Sequence, residues 1–171
     1  MGLLRNRGNE EPARRFQMRE RMLSIGDDFW IEDDSGERVF LVDGKALRMR
    51  DTWVLKDAAG NDVAEIKERM LSVRDKMKID LDGRSATVTK RIVGIRDHFK
   101  VDVDGGEDMK VHGNVVDHEY VIERGGDKVA EISKKWFRVR DTYGVEVEAG
   151  TDPALILAVT VAVDGMTHDD A

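Results

Sequence analysis

The chain of 171 residues contains no cysteine, which excludes disulfides, thiolate zinc sites, iron–sulfur clusters and a cysteine nucleophile. Its only prolines, Pro12 and Pro153, lie near the ends, so no proline interrupts a β ladder between them. The one strongly apolar stretch, residues 154–163, would extend about 15 Å as a helix, half of a bilayer's hydrocarbon core. The sequence therefore predicts no transmembrane span.

Charge and length limit the classes of protein to which the chain can belong. With 28 basic and 35 acidic residues the net charge is −7, which opposes bulk attraction to nucleic acid, and we expect no nucleic-acid partner. The polar, aperiodic residues 1–17 predict a flexible tail, residues 18–166 a single domain, and residues 167–171 a second tail. The start shows no export signal, so we expect a cytoplasmic protein.

An internal repeat of 22 to 24 residues organises the chain. Residues 73–83 match residues 95–105 at six of eleven positions, and residues 63–66 recur unchanged as residues 129–132. The repeat units begin at positions 26, 50, 74, 96, 118 and 140, four of which hold Arg followed by Asp. Each unit contains an alternating apolar run, a Gly-bearing turn and a second alternating run, the pattern of a β-hairpin. Six hairpin units over about 22–148 predict twelve antiparallel strands, with the Arg-Asp joints toward one rim.

The apolar C-terminal run can fill the interior that a sheet of twelve strands would enclose. Asp152-Pro153 is typical of a helix start, and the run that follows is apolar around its whole circumference, so a helix there requires burial on every side. The alternation of Val159, Val161 and Val163 supports a last strand as the competing interpretation. A barrel of about twelve strands is too wide for its own side chains to fill. We therefore predict a mainly β protein, a twelve-stranded antiparallel closed barrel around a central hydrophobic C-terminal α-helix at 152–164.

Several short motifs carry a family resemblance: Gly26-Asp-Asp-Phe29, Val42-Asp-Gly-Lys45, Gly113-Asn114, Val129-Ala-Glu-Ile132, Trp136, Asp141-Thr-Tyr143 and Asp152-Pro-Ala-Leu-Ile-Leu-Ala158. Together they resemble the LURP-one-related family over residues 18–166. The resemblance implies a fold similar to the tubby C-terminal domain and the phospholipid scramblases, a twelve-stranded barrel around a hydrophobic helix. It implies little chemistry, since most members have no established activity. No motif here matches tubby's phosphoinositide-binding residues, or the calcium segment and membrane anchor of scramblases.

Motifs for catalysis and cofactors are absent from the sequence. The acidic pairs at 80/82 and 102/104 lack the full spacing of a calcium loop and read as the outer faces of strands entering turns. The histidines at 98, 112, 118 and 168 lack zinc-ligand spacing. There is no G-x-S-x-G, Walker loop or G-x-G-x-x-G. We predict no metal, no cofactor and no catalytic residue.

A basic aromatic segment is the candidate binding site. Residues 134–140 carry four cations and two aromatic residues, without an acid until Asp141. Cations attract anionic headgroups, and tryptophan favours a membrane interface. As a strand, this segment would place Lys134, Trp136 and Arg138 on one face; in the alternative interpretation Phe137 and Val139 are core and the other face is simply solvated. The candidate residues for binding anionic lipid or a partner are Lys134, Lys135, Trp136, Arg138 and Arg140.

These features favour a non-catalytic cytoplasmic binding module, peripheral to the membrane where it engages anionic lipid, or else bound to a protein partner. Two alternatives stay open. One is lipid handling like that of phospholipid scramblases, which would require the C-terminal helix to leave the barrel. The other is an enzyme with a site at one end of the barrel, since catalytic groups assemble in space rather than in sequence.

Overall fold

A computed structural model describes residues 12–19, 28–44, 52–68, 76–93, 96–137 and 140–168. These residues form twelve strands and one helix. The strands are β1 Arg14–Arg19, β2 Phe29–Asp33, β3 Arg38–Asp43, β4 Thr52–Asp57, β5 Asp62–Glu68, β6 Lys76–Leu81, β7 Arg84–Val93, β8 Arg96–Val103, β9 Met109–Asn114, β10 Glu119–Arg124, β11 Asp127–Ser133 and β12 Thr142–Val147. The helix is α1, Pro153–His168.

The twelve strands close into a single antiparallel barrel. Each strand pairs with its neighbours in sequence, and β1 pairs with β12 to complete the ring. Residues alternate between a buried inner face and a solvated outer face; in β6, for example, Met77 and Ile79 are buried, whereas Lys76, Lys78 and Asp80 are half-buried. The predicted fold class is confirmed.

Strand β1 comes from a part of the chain in which no strand was predicted. Residues 14–17, assigned to the tail, belong to β1, where Phe16 and Met18 are fully buried. Five of the predicted hairpins form, but the sixth unit contributes β12 alone, and the partner that completes its pairing is β1. The alternation of β1 covers only two apolar residues among charged ones, too short a pattern to be recognised beside the repeat.

Tight turns occupy one end of the barrel, here called the hairpin end. In two of these turns, Gly83 and Gly105 adopt left-handed φ angles of 69° and 72°. Glycine adopts such angles readily because it has no Cβ. In another turn, Asp57 Oδ1 accepts hydrogen bonds from the backbone N–H groups of Ala59 and Asn61, each at 2.9 Å. The hydrogen bonds from the Asn61 backbone and side chain lower the pKa of the Asp57 carboxyl.

The opposite end, here called the joint end, holds the connections between hairpins. The predicted Arg-Asp joints at 50–51 and 74–75 lie outside the described residues. At the joint before β12 the left-handed residue is Asp141, with φ 59°, and at the joint before β10 it is His118, with φ 54°. His118 is thus the structural counterpart of Asp141, although the sequence repeat aligns His118 with Arg140. The side chain two residues further on points inward at both joints, as Tyr120 and Tyr143.

Helix α1 begins at the hairpin end and runs through the lumen toward the joint end. Asp152 Oδ1 accepts a hydrogen bond from the Ala154 backbone N–H at 3.0 Å, which caps the helix start. Every residue from 155 to 166 is buried. The helix extends four residues beyond the predicted 164, and Gly165 permits close packing there, because a Cβ at this position would lie 2.8 Å from Met77 Cε. Within the described residues, no helix is long and apolar enough to span a membrane.

Candidate functional site

Within the basic segment, residues 134–137 form a turn rather than a strand. β11 ends at Ser133, and residues 134–137 bend away from the ladder. The backbone N–H of Lys134 donates to Glu119 Oε1 at 3.0 Å, and that of Lys135 donates to Ser133 Oγ at 3.2 Å. Side-chain oxygens therefore accept the hydrogen bonds that these backbone N–H groups would otherwise donate to a neighbouring strand. The prediction of a strand with Lys134 and Trp136 on one face is wrong for this reason.

Both aromatic residues of the segment fold onto the outer face of β12. A Cβ at Gly144 would lie 2.7 Å from the Trp136 ring and 2.9 Å from the Phe137 ring, so only glycine leaves room for them. Phe137 is half-buried on this outer face rather than in the barrel core, which corrects the alternative interpretation for this residue. Arg15 of β1 places its guanidinium 4.9 Å from the Trp136 ring centroid and bonds Glu146 at 2.6 Å. The neighbouring strands thus hold the tryptophan in place.

The cations of this region remain at the surface. Lys134, Lys135 and Arg140 are exposed, and Arg15 adds a fourth exposed cation beside Trp136. Arg138 and Val139 lie outside the described residues. We call Arg15, Lys134, Lys135, Trp136 and Arg140 the rim patch. It combines a half-buried indole with surrounding positive charge, on a chain whose net charge is −7.

A second polar cluster lies in the lumen, near the joint end of α1. The Tyr143 hydroxyl donates a hydrogen bond to Asp164 Oδ2 of the helix. His118 Nε2 lies 3.3 Å from Asp164 Oδ1, and the His118 ring stacks on Tyr143 with centroids 4.1 Å apart. The side chains of His118 and Asp164 are each only 2% exposed. The cluster connects two joints of the barrel wall to the central helix.

Tyr120 completes the polar side of the lumen. Burial, followed by the negative charge of Asp164, raises the pKa of Tyr120 well above its usual value, against a smaller opposing effect of the Thr160 hydroxyl. The phenol is therefore neutral at physiological pH. Because its groups are buried inside the barrel wall, this cluster can fix the helix in the barrel.

The lumen cluster was not predicted, because its members are separated by up to 46 positions in the sequence, from His118 to Asp164. One signal was present: Asp164 is the first charged residue after an apolar run that is buried on all sides. A carboxylate at that place needs a polar partner from the barrel wall.

Other candidate residues occupy ordinary outer-face positions. Asp80 and Asp102 lie 3.4 Å and 3.0 Å from the ammonium groups of Lys78 and Lys100. His112 Nε2 lies 2.9 Å from Glu123. Among the residues that the structure describes, no three His, Cys, Asp or Glu side chains are grouped to hold a metal ion.

Comparison with known proteins agrees with the barrel and its buried helix. The LURP-one-related family model matches residues 14–164, from β1 through most of α1. The chain belongs to the LURP-one-related family. The matched range begins at β1, which sequence reasoning had left partly in the tail.

Relatives of this LURP-one-related chain occur in bacteria and plants. It is similar to the uncharacterized protein YxjI of Bacillus subtilis, 23% identical over 153 residues, covering 90% of this chain and 93% of that protein. It is also similar to protein LURP-one-related 15 of Arabidopsis thaliana, 27% identical over 170 residues, covering 88% and 78%. An X-ray structure of an Arabidopsis thaliana protein superposes with a TM-score of 0.63 at 18% identity, covering 92% and 93% of the two chains. That structural likeness shows a shared fold.

Proposed function

We propose that this LURP-one-related chain is a non-catalytic binding module that attaches peripherally to anionic phospholipid surfaces through the rim patch. The observation that carries the proposal is the combination of exposed Lys134, Lys135 and Arg140 with a Trp136 seated on Gly144. Juxtamembrane cations contribute about 1 kcal/mol each near an anionic surface, and an indole ring partitions to the headgroup level.

The geometry favours a surface contact over insertion. Trp136 is only half-buried, and its ring is held by Gly144 on one side and by the Arg15 guanidinium at 4.9 Å. A tryptophan fixed in this way loses little conformational freedom on binding, which lowers the entropic cost of the contact. Binding by the rim patch also leaves the barrel closed.

The lumen contacts argue against scramblase-like lipid handling. Release of α1 would break the Tyr143–Asp164 hydrogen bond and expose the apolar inner wall of the barrel. The cost of that exposure exceeds what a few headgroup contacts can return.

Vesicle co-sedimentation tests the proposal. We expect the protein to sediment with vesicles that contain phosphatidylserine and to stay in the supernatant with phosphatidylcholine alone. Lys134→Glu combined with Lys135→Glu should weaken the binding at least about tenfold, since each reversal replaces attraction by repulsion. Added salt should weaken it further.

A matched control exists on the other side of the barrel. Lys67 and Lys78 are cross-strand partners on the outer faces of β5 and β6, and reversal of both changes the net charge by the same amount. Lys67→Glu with Lys78→Glu should leave vesicle binding nearly unchanged. Equal losses of vesicle binding in the two double variants would show that binding depends on net charge and not on the rim patch. Absence of binding by the unmodified protein would also refute the proposal. Capture of a protein partner through the same lysines, without vesicle binding, would point to the protein-partner interpretation instead.

A further inference from the structure

The polar cluster in the lumen lies directly behind the residues that support the rim patch, on the other face of the barrel wall. In the lumen, His118 and Tyr143 contact Asp164 of α1. The residue that follows each of them serves the outer face: Glu119 accepts a hydrogen bond from the rim patch, and Gly144 supports its tryptophan ring. Adjacent residues of a strand point to opposite faces of a sheet, so one layer of backbone separates the two sites.

On the outer face, a row of three residues supports the turn at 134–137. Ser133 pairs with Gly144 across the ladder between β11 and β12, and its hydroxyl donates a hydrogen bond to Glu119 Oε1 at 3.1 Å. The same row accepts the two backbone hydrogen bonds of the turn, from Lys134 to Glu119 and from Lys135 to Ser133. The turn therefore keeps its shape only while β10, β11 and β12 keep their relative positions.

On the inner face, one carboxylate connects the first and the last of these three strands to the helix. Asp164 accepts the hydrogen bond of the Tyr143 hydroxyl from β12, and it lies 3.3 Å from His118 at the start of β10. The two rings also stack, with centroids 4.1 Å apart. His118 has a left-handed φ of 54°, a conformation that a residue other than glycine keeps only where its surroundings hold it.

We propose that the lumen cluster positions the rim patch, with Asp164 as a positioning residue that acts through His118 and Tyr143. The carboxylate holds the joint ends of β10 and β12 at one point of α1, and this fixes the spacing of the outer row. Without it the two joints move independently, and the turn at 134–137 loses the alignment of its hydrogen bonds. The consequence for lipid binding, that the seating of α1 sets the affinity of the rim patch, rests on the proposed function.

Three substitutions and a matched control isolate this connection. Asp164→Ala removes the shared carboxylate, and Tyr143→Phe removes only the hydroxyl while it keeps the ring that stacks on His118. Asp164→Asn returns an acceptor for that hydroxyl. Val159→Ala is the control, because it truncates another completely buried side chain of the same helix that is not a member of the cluster.

Amide hydrogen exchange of the lipid-free protein, followed by NMR at Lys134 and Lys135, tests the positioning role. We expect these two amides to exchange at least about threefold faster in Asp164→Ala and in Tyr143→Phe. Asp164→Asn should give an intermediate rate. Val159→Ala should change the rate less than about 1.5-fold, because surface turns exchange by local opening and not by global unfolding. Unchanged exchange in Asp164→Ala, or equal acceleration in Val159→Ala, would overturn the proposal.

Co-sedimentation with phosphatidylserine vesicles tests the consequence for binding. Asp164→Ala and Tyr143→Phe should each weaken binding at least about threefold. Since Asp164→Ala makes the net charge of −7 one unit less negative, net charge alone predicts the opposite change. Unchanged vesicle binding despite accelerated exchange would overturn the consequence for lipid binding. Absence of binding by the unmodified protein would refute the proposed function, whereas the exchange measurement, made without lipid, would still decide the positioning role.

Discussion

At the scale of single residues, the most consequential polar group is the Asp164 carboxylate. It lies in a lumen lined by apolar side chains and accepts a hydrogen bond from Tyr143, while His118 approaches to 3.3 Å. A buried carboxylate is costly unless such partners are present, so these contacts stabilise the folded position of α1. They also fix the rotation of α1 about its axis, because only one face of the helix carries the carboxylate.

Asp164→Ala should destabilise the protein by about 3 kcal/mol, because it leaves the buried Tyr143 hydroxyl without its acceptor and removes the carboxylate that lies beside His118. The change is measured as the free energy of unfolding in urea. Asp164→Asn, which keeps an acceptor oxygen and the side-chain volume, should cost clearly less. An alanine variant as stable as the unmodified protein would show that the cluster does not hold the helix.

At the scale of elements, α1 takes the place of a core that the strands cannot supply. A twelve-stranded barrel leaves a lumen too wide for its own side chains, and a helix with side chains is about 10 Å across. The sequence predicted this element well, because a run that is apolar on every side has no stable place except complete burial. The predicted C-terminal end of the helix, at 164, was four residues short. The sequence does not show that Asp164 has buried partners, because they come from distant strands.

Ile156→Asp should abolish cooperative folding or destabilise the protein by about 5 kcal/mol, a large share of the stability of a typical domain. Ile156 is completely buried in the lumen, and the new charge would lie among apolar side chains. Circular dichroism during urea unfolding provides the measurement. Ala154→Asp is the matched control in the half-buried first turn of the same helix, where an acid is tolerated, and it should cost less than about 1 kcal/mol. Equal effects of the two variants would contradict the buried position of α1.

At the scale of the whole molecule, the repeat determined most of what could be predicted. Its alternating runs and Gly turns predicted eleven of the twelve strands, β2 to β12, and the antiparallel pairing, since period and turn chemistry are local properties. Closure by β1 was missed, because pairing of β1 with β12 joins residues more than 120 positions apart through only two inward apolar residues, Phe16 and Met18. The same limit applies to the candidate site. The basic composition of 134–140 is visible in the sequence, whereas the turn at residues 134–137 involves a hydrogen bond to the Glu119 side chain of β10.

The central claim is that the closed barrel binds an anionic surface through its rim patch while α1 stays in the lumen. Hydrogen exchange of the full chain, with and without phosphatidylserine vesicles, tests both parts in one measurement. We predict that vesicles slow exchange in peptides covering residues 134–137 and leave the strong protection of residues 155–166 unchanged. Loss of protection in the helix on addition of vesicles, or unchanged exchange at residues 134–137, would contradict the account.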